Sequence, residues 1–170
     1  MDSREFLKNW FAEYHTDFLQ FMTCCTQDYH LASDILQETY VKAYLKFHLF
    51  DQSKGTLKNW LYRIAVNHYR DHLRKMKRIN EISLDFLDSH FSETETDIEE
   101  PKFTSNELKQ ALAGISPGKR AIILLSLNHN HGEIAEILDI PAGTVKSRLF
   151  YARKSLIKRL NEIKGEVSNE

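Results

Sequence analysis

Proline is scarce in this sequence of 170 residues and does not occur in the first 100. The three prolines, Pro101, Pro117 and Pro141, all fall in the second half. Proline breaks helices because it lacks a backbone donor and clashes with the preceding turn. Its absence therefore leaves long helices possible throughout the first half.

Cysteine is also scarce, since Cys24 and Cys25 are the only two and are adjacent. Neighbouring residues on a helix point in different directions, which makes an intramolecular disulfide between them implausible. This excludes the disulfide framework that stabilises many small secreted domains. We expect two thiols in a helical core.

Long apolar runs are missing as well. No stretch approaches the roughly 20 apolar residues that a bilayer-spanning helix needs, and the N-terminal MDSREFLKNW lacks the basic region and apolar core of a signal peptide. We therefore expect a cytoplasmic protein without membrane insertion. The chain is long enough for one medium or two small domains, but not for a large catalytic architecture.

The formal net charge of -1 hides a segregated pattern. Basic residues cluster in residues 63–78 and again in residues 146–164, and residues 81–100 between them contain acidic residues without any Lys or Arg. Local basic segments of this kind indicate nucleic-acid-binding surfaces that the net charge does not reveal.

Apolar spacing of three and four residues predicts three helices in the first half, at residues 3–25, 31–47 and 57–77. Residues 50–56 are predicted to form a loop. Ser116 followed by Pro117 predicts the start of a further helix that runs to about Leu127. The predicted fold class is all-α, with two small helical domains, 1–78 and 104–170, joined by a flexible acidic linker, 79–103.

The strongest single motif is a predicted helix-turn-helix from His131 to about Leu160. Its apolar positions suit two helices that cross closely, and Asp139 stands where a turn glycine is usual. Pro141 suits the first turn of the second helix. The expected inner residues are Ile134, Ala135, Leu138, Ile140, Val145 and Leu149.

The outer face of the second helix carries groups suited to base edges, thymine methyls and phosphates. The alternative to a DNA-binding motif is a helical hairpin whose basic face is simply solvated. The candidate DNA-binding residues are Gly143, Thr144, Lys146, Ser147, Arg148, Phe150, Tyr151, Arg153 and Lys154.

Three motifs together resemble a known family. Residues 133–138 with 143–153 are similar to the fourth conserved region of bacterial RNA polymerase sigma factors. Residues 34–43 and 59–67 are similar to the core-binding and promoter-melting parts of region two. Two regions joined by a short linker resemble the extracytoplasmic-function (ECF) group of the sigma-70 family. The resemblance implies a dissociable subunit that directs promoter-specific transcription initiation, region 4 reading the -35 element.

The resemblance implies that region 2 binds core polymerase and also reads and melts the -10 element. Asp34, Gln37 and Glu38 share one helix face, where a solvated surface is the alternative. Trp60 is either a base-stacking residue or, as its core spacing favours, a structural one. The implied core-binding residues are Asp34, Gln37, Glu38 and Lys42. The implied -10 contacts are Phe50, Lys58, Asn59, Arg63, Asn67, Arg70 and Arg74.

The implied partners are promoter DNA and core RNA polymerase, through the clamp of its largest subunit and the flap of its second-largest subunit. An anti-sigma factor is a further partner that the family implies. The acidic linker would either mimic nucleic acid near the polymerase active centre or act as a plain tether.

We expect no cofactor and no catalytic activity. His129 and His131 lack a third ligand for a metal site. The rival hypotheses are a DNA-binding regulator that does not act through polymerase, and an enzyme with an apolar substrate pocket in the N-terminal bundle.

Overall fold

The computed structural model describes residues 3–80 and 102–167. Within those two ranges the chain forms helices and no strand, which confirms the all-α fold class. Two short 3₁₀ turns, Phe47–Leu49 and Gln52–Lys54, lie between the second and third helices. The helices are α1 (Ser3–Thr26), α2 (Tyr29–Lys46), α3 (Leu57–Asn80), α4 (Ser105–Ala113), α5 (Pro117–Leu125), α6 (His131–Leu138) and α7 (Ala142–Val167).

The N-terminal half, α1 to α3, forms a bundle around fully buried side chains such as Phe18, Met22, Ile35 and Leu61. Its three helices occur where the apolar spacing predicts them. α2 begins earlier than expected because Asp28 caps it, accepting hydrogen bonds from the backbone N–H groups of His30 and Leu31 at 2.8 and 3.1 Å. Of the two thiols expected in the core, Cys25 is buried and Cys24 is half-buried, and burial raises the pKa of the Cys25 thiol.

The C-terminal half, α4 to α7, begins with a capping box. Thr104 accepts from the N–H of Glu107 at 3.2 Å, and the Glu107 carboxylate accepts from the N–H of Thr104. Pro117 occupies the predicted first helical position of α5, but the Ser116 side chain makes no capping hydrogen bond and α5 ends at Leu125. Most of the predicted linker, residues 81–101, lies outside the described residues.

The two halves share one hydrophobic core. A single cluster of buried side chains includes Met22 and Tyr62 from the N-terminal half with Ile122, Ile137 and Val145 from the C-terminal half. α3 packs against α6, and α1 packs against α5. The predicted helix-turn-helix, α6 with α7, therefore packs against the N-terminal bundle.

The buried guanidinium of Arg120 joins the halves at the ends of α1 and α4. Its Nη1 donates to the Cys25 carbonyl at 2.8 Å, and its other nitrogens donate to the carbonyls of Leu112, Ala113 and Ile115 at 2.7, 3.2 and 3.0 Å. The last carbonyls of a helix lack intrahelical partners and carry partial negative charge. Arg120 satisfies such groups with a planar fork of donors that no other side chain provides.

We predict that Arg120→Met destabilises the chain by about 3 kcal/mol, because several buried carbonyls lose their donor. Urea unfolding followed by circular dichroism measures the change. The control is Arg153→Met on the exposed face of α7, which should stay within about 0.5 kcal/mol of the parent chain. An Arg120→Met chain as stable as that control would contradict the role given to Arg120.

Candidate nucleic-acid interface

The helix-turn-helix consists of α6, a turn at residues 139–141 and α7. Of the six expected inner residues, Ile134, Leu138, Val145 and Leu149 are buried, whereas Ala135 and Ile140 are half-buried. An Asn130–Glu133 capping box fixes the start of α6: Asn130 Oδ1 accepts from the Glu133 N–H at 3.0 Å, and the Glu133 carboxylate accepts from the Asn130 N–H at 2.8 Å. The packing thus agrees with the predicted motif.

The turn depends on Asp139, which adopts a left-handed backbone with φ 55° and ψ 52°. Asp tolerates this region better than most residues, and its N–H donates to the carbonyl of Ala135. Pro141 lies just before α7 rather than in its first turn, and its carbonyl accepts from the Thr144 N–H at 2.9 Å. The chain thereby reverses between two helices of a kind that suits a DNA groove.

The predicted DNA-facing residues of α7 lie on or near its solvent side. Gly143, Lys146, Ser147, Phe150 and Arg153 are exposed. Thr144, Arg148, Tyr151 and Lys154 are half-buried. This face therefore offers hydroxyl, ammonium, guanidinium and aromatic groups together, which a major-groove reader requires.

The predicted -10 residues divide between different sides of the bundle. Asn59, Arg63 and Arg70 are spaced i, i+4 and i+11, so they form one stripe along α3. Asn67 and Arg74 lie beside that stripe. Asn67 accepts a hydrogen bond from Arg70, and Arg74 donates one to Asp71. Lys58 is on another side and lines a cleft with Trp10, Tyr62 and His129.

A cavity opens at the start of the α3 stripe. Its walls come from Phe50, Gly55, Asn59, Trp60 and Arg63, and Glu136 of α6 contributes as well. Trp60 packs against Phe50 with ring centroids 5.4 Å apart, and it is only half-buried. Trp60 thus has the packing role expected from its spacing while also lining a cavity with aromatic and amide walls. Such walls suit an unstacked base.

Contacts from α6 and its turn cover the α3 stripe. Asn59 Nδ2 donates to Glu136 Oε2 at 3.1 Å, and Arg70 Nη1 donates to the Leu138 carbonyl at 3.0 Å. Arg63 Nη2 lies 3.1 Å from Asp139 Oδ1 in an ion pair. Burial, followed by the neighbouring Arg148 and Arg74, lowers the pKa of Arg70.

The predicted core-binding residues Asp34, Gln37 and Glu38 are exposed together on α2, on the side away from Ile35 and Leu36. Lys42 is half-buried and bonds to His68 Nδ1, while Glu38 Oε2 lies 3.4 Å from His68 Nε2. Lys42 therefore belongs to the edge of α2 that faces α3.

Sequence reasoning missed an apolar extension of this α2 face. Val41, Tyr44 and Leu45 are exposed, Val41 and Leu45 to 59% and 64%, and Val41 and Leu45 follow Asp34 at i+7 and i+11 on the same side of the helix. Exposed apolar patches of this kind mark interaction surfaces. The sequence did contain a signal for this patch, namely apolar residues that lie away from the core face of a predicted helix.

The contacts of Glu136, Asp139 and Arg120 were missed as well, because they join positions far apart in sequence. His129 is buried against Tyr62, with ring centroids 4.9 Å apart, and burial lowers its pKa. His131 is exposed at the start of α6. Among the described side chains, no group of three His, Cys, Asp or Glu residues could hold a metal ion. No helix in the described ranges is long and apolar enough to cross a membrane.

Two family models match the chain: Sigma-70 region 2 over residues 10–79 and Sigma-70 region 4 over residues 105–156. The ECF RNA polymerase sigma factor SigM of Bacillus subtilis (strain 168) is 35% identical over 149 residues, 84% of this chain and 88% of that protein. The chain belongs to the ECF RNA polymerase sigma factors. It is accordingly a sigma subunit that directs promoter-specific transcription initiation.

One further relative and two solved structures are also similar to this chain. This sigma factor is 30% identical over 142 residues to the ECF RNA polymerase sigma-E factor of Escherichia coli (strain K12), with 76% of this chain and 74% of that protein covered. The solved structure of the sigma factor RpoE in complex with the anti-sigma factor NepR from Bartonella quintana has a TM-score of 0.67 at 26% identity, covering 91% of this chain and 96% of that chain. CnrH in complex with the cytosolic domain of CnrY shares the fold, with a TM-score of 0.63 at 20% identity over 92% of this chain and 88% of that one.

Proposed function

We propose that this sigma factor reads a promoter with two separate surfaces. The outer face of α7 takes the -35 duplex, and the α3 stripe with its cavity takes the -10 element and a base that leaves the stack. The observation that carries the proposal is the pairing of an exposed polar recognition face on α7 with a basic stripe beside an aromatic-walled cavity on α3. We take residues 1–78 and 104–170 as the two functional units.

The -35 assignment rests on the chemistry of α7. Lys146 and Ser147 are exposed at the start of the helix, where the N-terminal residues of a recognition helix meet base edges. Arg153 is exposed farther along, at a position suited to phosphates. In this assignment Lys146 and Ser147 specify sequence, while Arg148, Arg153 and Lys154 position the helix on the DNA backbone.

The -10 assignment rests on the cavity and its basic edge. Base extraction costs a few kcal/mol, so a pocket that stacks and hydrogen-bonds the extruded base is required. Trp60 and Phe50 offer aromatic surface, and Asn59 offers an amide. Arg63 and Arg70 continue along α3 and would follow the phosphates of the single strand. Lys58 has no place in this surface and is assigned no DNA contact.

We further propose that the exposed face of α2 binds core polymerase. Asp34, Gln37 and Glu38 provide carboxylate and amide groups that suit an arginine-rich partner. Val41 and Leu45 add apolar area to the same face. A carboxylate patch joined to an apolar patch fits a partner helix that carries both basic and apolar residues.

The remaining roles follow from this function. The chemistry of RNA synthesis belongs to the polymerase, so we assign this sigma factor no catalytic activity, and we place it in the cytoplasm with its enzyme. We also propose an anti-sigma factor as a partner. The support is that RpoE, which matches 91% of this chain, was solved in complex with the anti-sigma factor NepR.

Run-off transcription on a promoter library tests the proposed function. Bacterial core polymerase with this sigma factor should produce transcripts from a subset of promoters that share -35 and -10 sequences, whereas core alone should not. Binding to duplex promoter without binding to core polymerase would instead support a polymerase-independent regulator and refute the proposal.

We predict that Asp34→Ala combined with Gln37→Ala weakens core binding by about tenfold, since two polar contacts of roughly 0.7 kcal/mol each are lost. Fluorescence anisotropy with labelled sigma factor measures the affinity, and circular dichroism checks the fold. Asp17→Ala combined with Gln110→Ala makes the same chemical change at exposed positions on other helices. Equal affinities for the two double variants would remove the α2 face from the core interface.

We predict that Lys146→Ala changes which -35 bases are preferred, because a good base contact discriminates by about 1–3 kcal/mol. The matched control is Lys158→Ala, an exposed position three turns farther along α7, where we expect no change in preference. Sequencing the transcripts from the promoter library measures both variants. A preference that Lys146→Ala leaves unaltered would place base reading elsewhere on the helix.

A further inference from the structure

We propose that the cleft lined by Lys58 and His129 binds a small zwitterionic molecule, an aromatic amino acid whose ring carries a hydrogen-bond donor. The cleft has a volume of about 390 Å³, within the range of small-molecule sites in proteins. Its walls come from α1, the first turns of α3, and the end of α5 with the chain that follows it. None of the three proposed binding surfaces for polymerase and promoter includes it.

His129 contributes a buried acceptor to this cleft. The residue is only 8% exposed. Its Nδ1 lies 3.2 Å from the Leu125 carbonyl oxygen, and because a carbonyl can only accept, Nδ1 carries the proton of the ring. Burial, with a smaller effect of the nearby Lys58, lowers the pKa of His129 and keeps the ring neutral. Nε2 therefore has a lone pair, and within the described part of the chain it has no hydrogen-bond partner.

This unpaired nitrogen requires a donor that is attached to an apolar group. Nε2 is buried from solvent, and a buried acceptor that lacks a donor is destabilising. A phenol hydroxyl or an indole N–H combines such a donor with an apolar ring. Phenylalanine has the ring without the donor, and an aliphatic ligand has no ring.

Aromatic side chains form much of the cleft wall. Trp10 packs against Tyr14 with ring centroids 4.8 Å apart, and Tyr62 packs against Phe21 and against His129, each with centroids 4.9 Å apart. Trp10 and Tyr14 are half-buried, so part of their ring surface is accessible. Aromatic rings pack favourably on such surfaces, either offset-stacked or edge to face. The walls therefore favour a planar ring over a flexible aliphatic chain.

Two opposite charges line the same cleft. The ammonium of half-buried Lys58 suits a carboxylate, and the carboxylate of exposed Asp17 suits an ammonium. Both charges act on the aromatic part of the wall, because Lys58 opposes protonation of His129 while Asp17, after burial, contributes to raising the pKa of Tyr62 to about 12. A zwitterion matches this pair of charges. Together with the ring donor, the charges narrow the ligand to an amino acid such as tyrosine or tryptophan.

Both halves of the chain build the cleft. Trp10 and Lys58 come from the first half, and Asn128 and His129 come from the second. A ligand that binds the folded chain but not the unfolded chain raises its stability as the ligand concentration increases. Tyrosine should therefore raise the melting temperature of the free sigma factor in a concentration-dependent manner. Phenylalanine at the same concentration should raise it less.

The test titrates the full chain with free tyrosine, without core polymerase or DNA, and follows binding by ligand-observed NMR. We expect a Kd below about 1 mM, the order attainable by a ligand of this size. Phenylalanine lacks only the hydroxyl and should bind about tenfold more weakly, since His129 Nε2 stays unpaired. Tyramine lacks only the carboxylate and should also bind more weakly than tyrosine, because Lys58 has no anion to pair with.

A substitution at Lys58 identifies the cleft as the site of binding. Lys58→Met keeps most of the apolar stem while removing the charge. It should weaken tyrosine binding about tenfold and leave tyramine binding within about twofold, since tyramine has no carboxylate. The matched control is Lys109→Met at an exposed position on α4, which should leave both affinities unchanged. Circular dichroism checks that both variants are folded.

Three results would each overturn the inference. They are a tyrosine Kd above about 1 mM, equal affinities for tyrosine and phenylalanine, and an effect of Lys58→Met that is the same for tyramine as for tyrosine. The titration contains neither polymerase nor promoter, so its failure would leave the proposed function intact. Failure of the run-off measurement would in turn refute the proposed function without affecting the ligand site.

Discussion

The buried guanidinium of Arg120 connects parts of the chain that the sequence separates widely. Its hydrogen bond to the Cys25 carbonyl joins α5 to the end of α1, and Tyr69 of α3 donates to that same carbonyl at 3.1 Å. The remaining nitrogens hold the carbonyls at the end of α4 and before α5. Because α5 is the helix that precedes the helix-turn-helix, we expect the position of α6 over α3 to depend on this side chain.

This arrangement gives the three proposed binding surfaces different accessibility. The α2 face, with Asp34 and Leu45, and the α7 face, with Lys146, are both exposed. The α3 stripe is covered by α6. The α2 and α7 faces are therefore open to a partner without any change in the packing of α6 on α3.

The helices and the helix-turn-helix were predictable because their signals are local. The Asp139 left-handed turn and the burial of Val145 and Leu149 each follow from residues within one supersecondary unit. The ends of α2 and α5 were less predictable, because Asp28 capped one helix early while Ser116 made no capping bond to the other. Helix ends depend on side-chain geometry that apolar periodicity does not contain.

The candidate site was predictable only in part, because its contacts also depend on geometry that local sequence patterns do not contain. Motif resemblance selected Asn59, Arg63 and Arg70 together, and they do share a stripe, but it also selected Lys58, which faces a different cleft. The partners of that stripe, Glu136 and Asp139, lie more than 60 residues away along the chain. Pairings at such separations come from tertiary packing, for which a single sequence gives no periodic signal.

The most direct test of the account is the distance between the halves, measured by energy transfer between dyes on cysteines introduced at the exposed positions Lys8 and Lys158, with Cys24 and Cys25 replaced. We predict one population below ~50 Å in the free chain, consistent with a compact body of this length. In the holoenzyme bound to a promoter, the separation should increase toward ~85 Å, the length of the roughly 25 base pairs of duplex between elements near -35 and -10 at about 3.4 Å per base pair. The same short distance in both states, or a long distance in the free chain, would contradict the account.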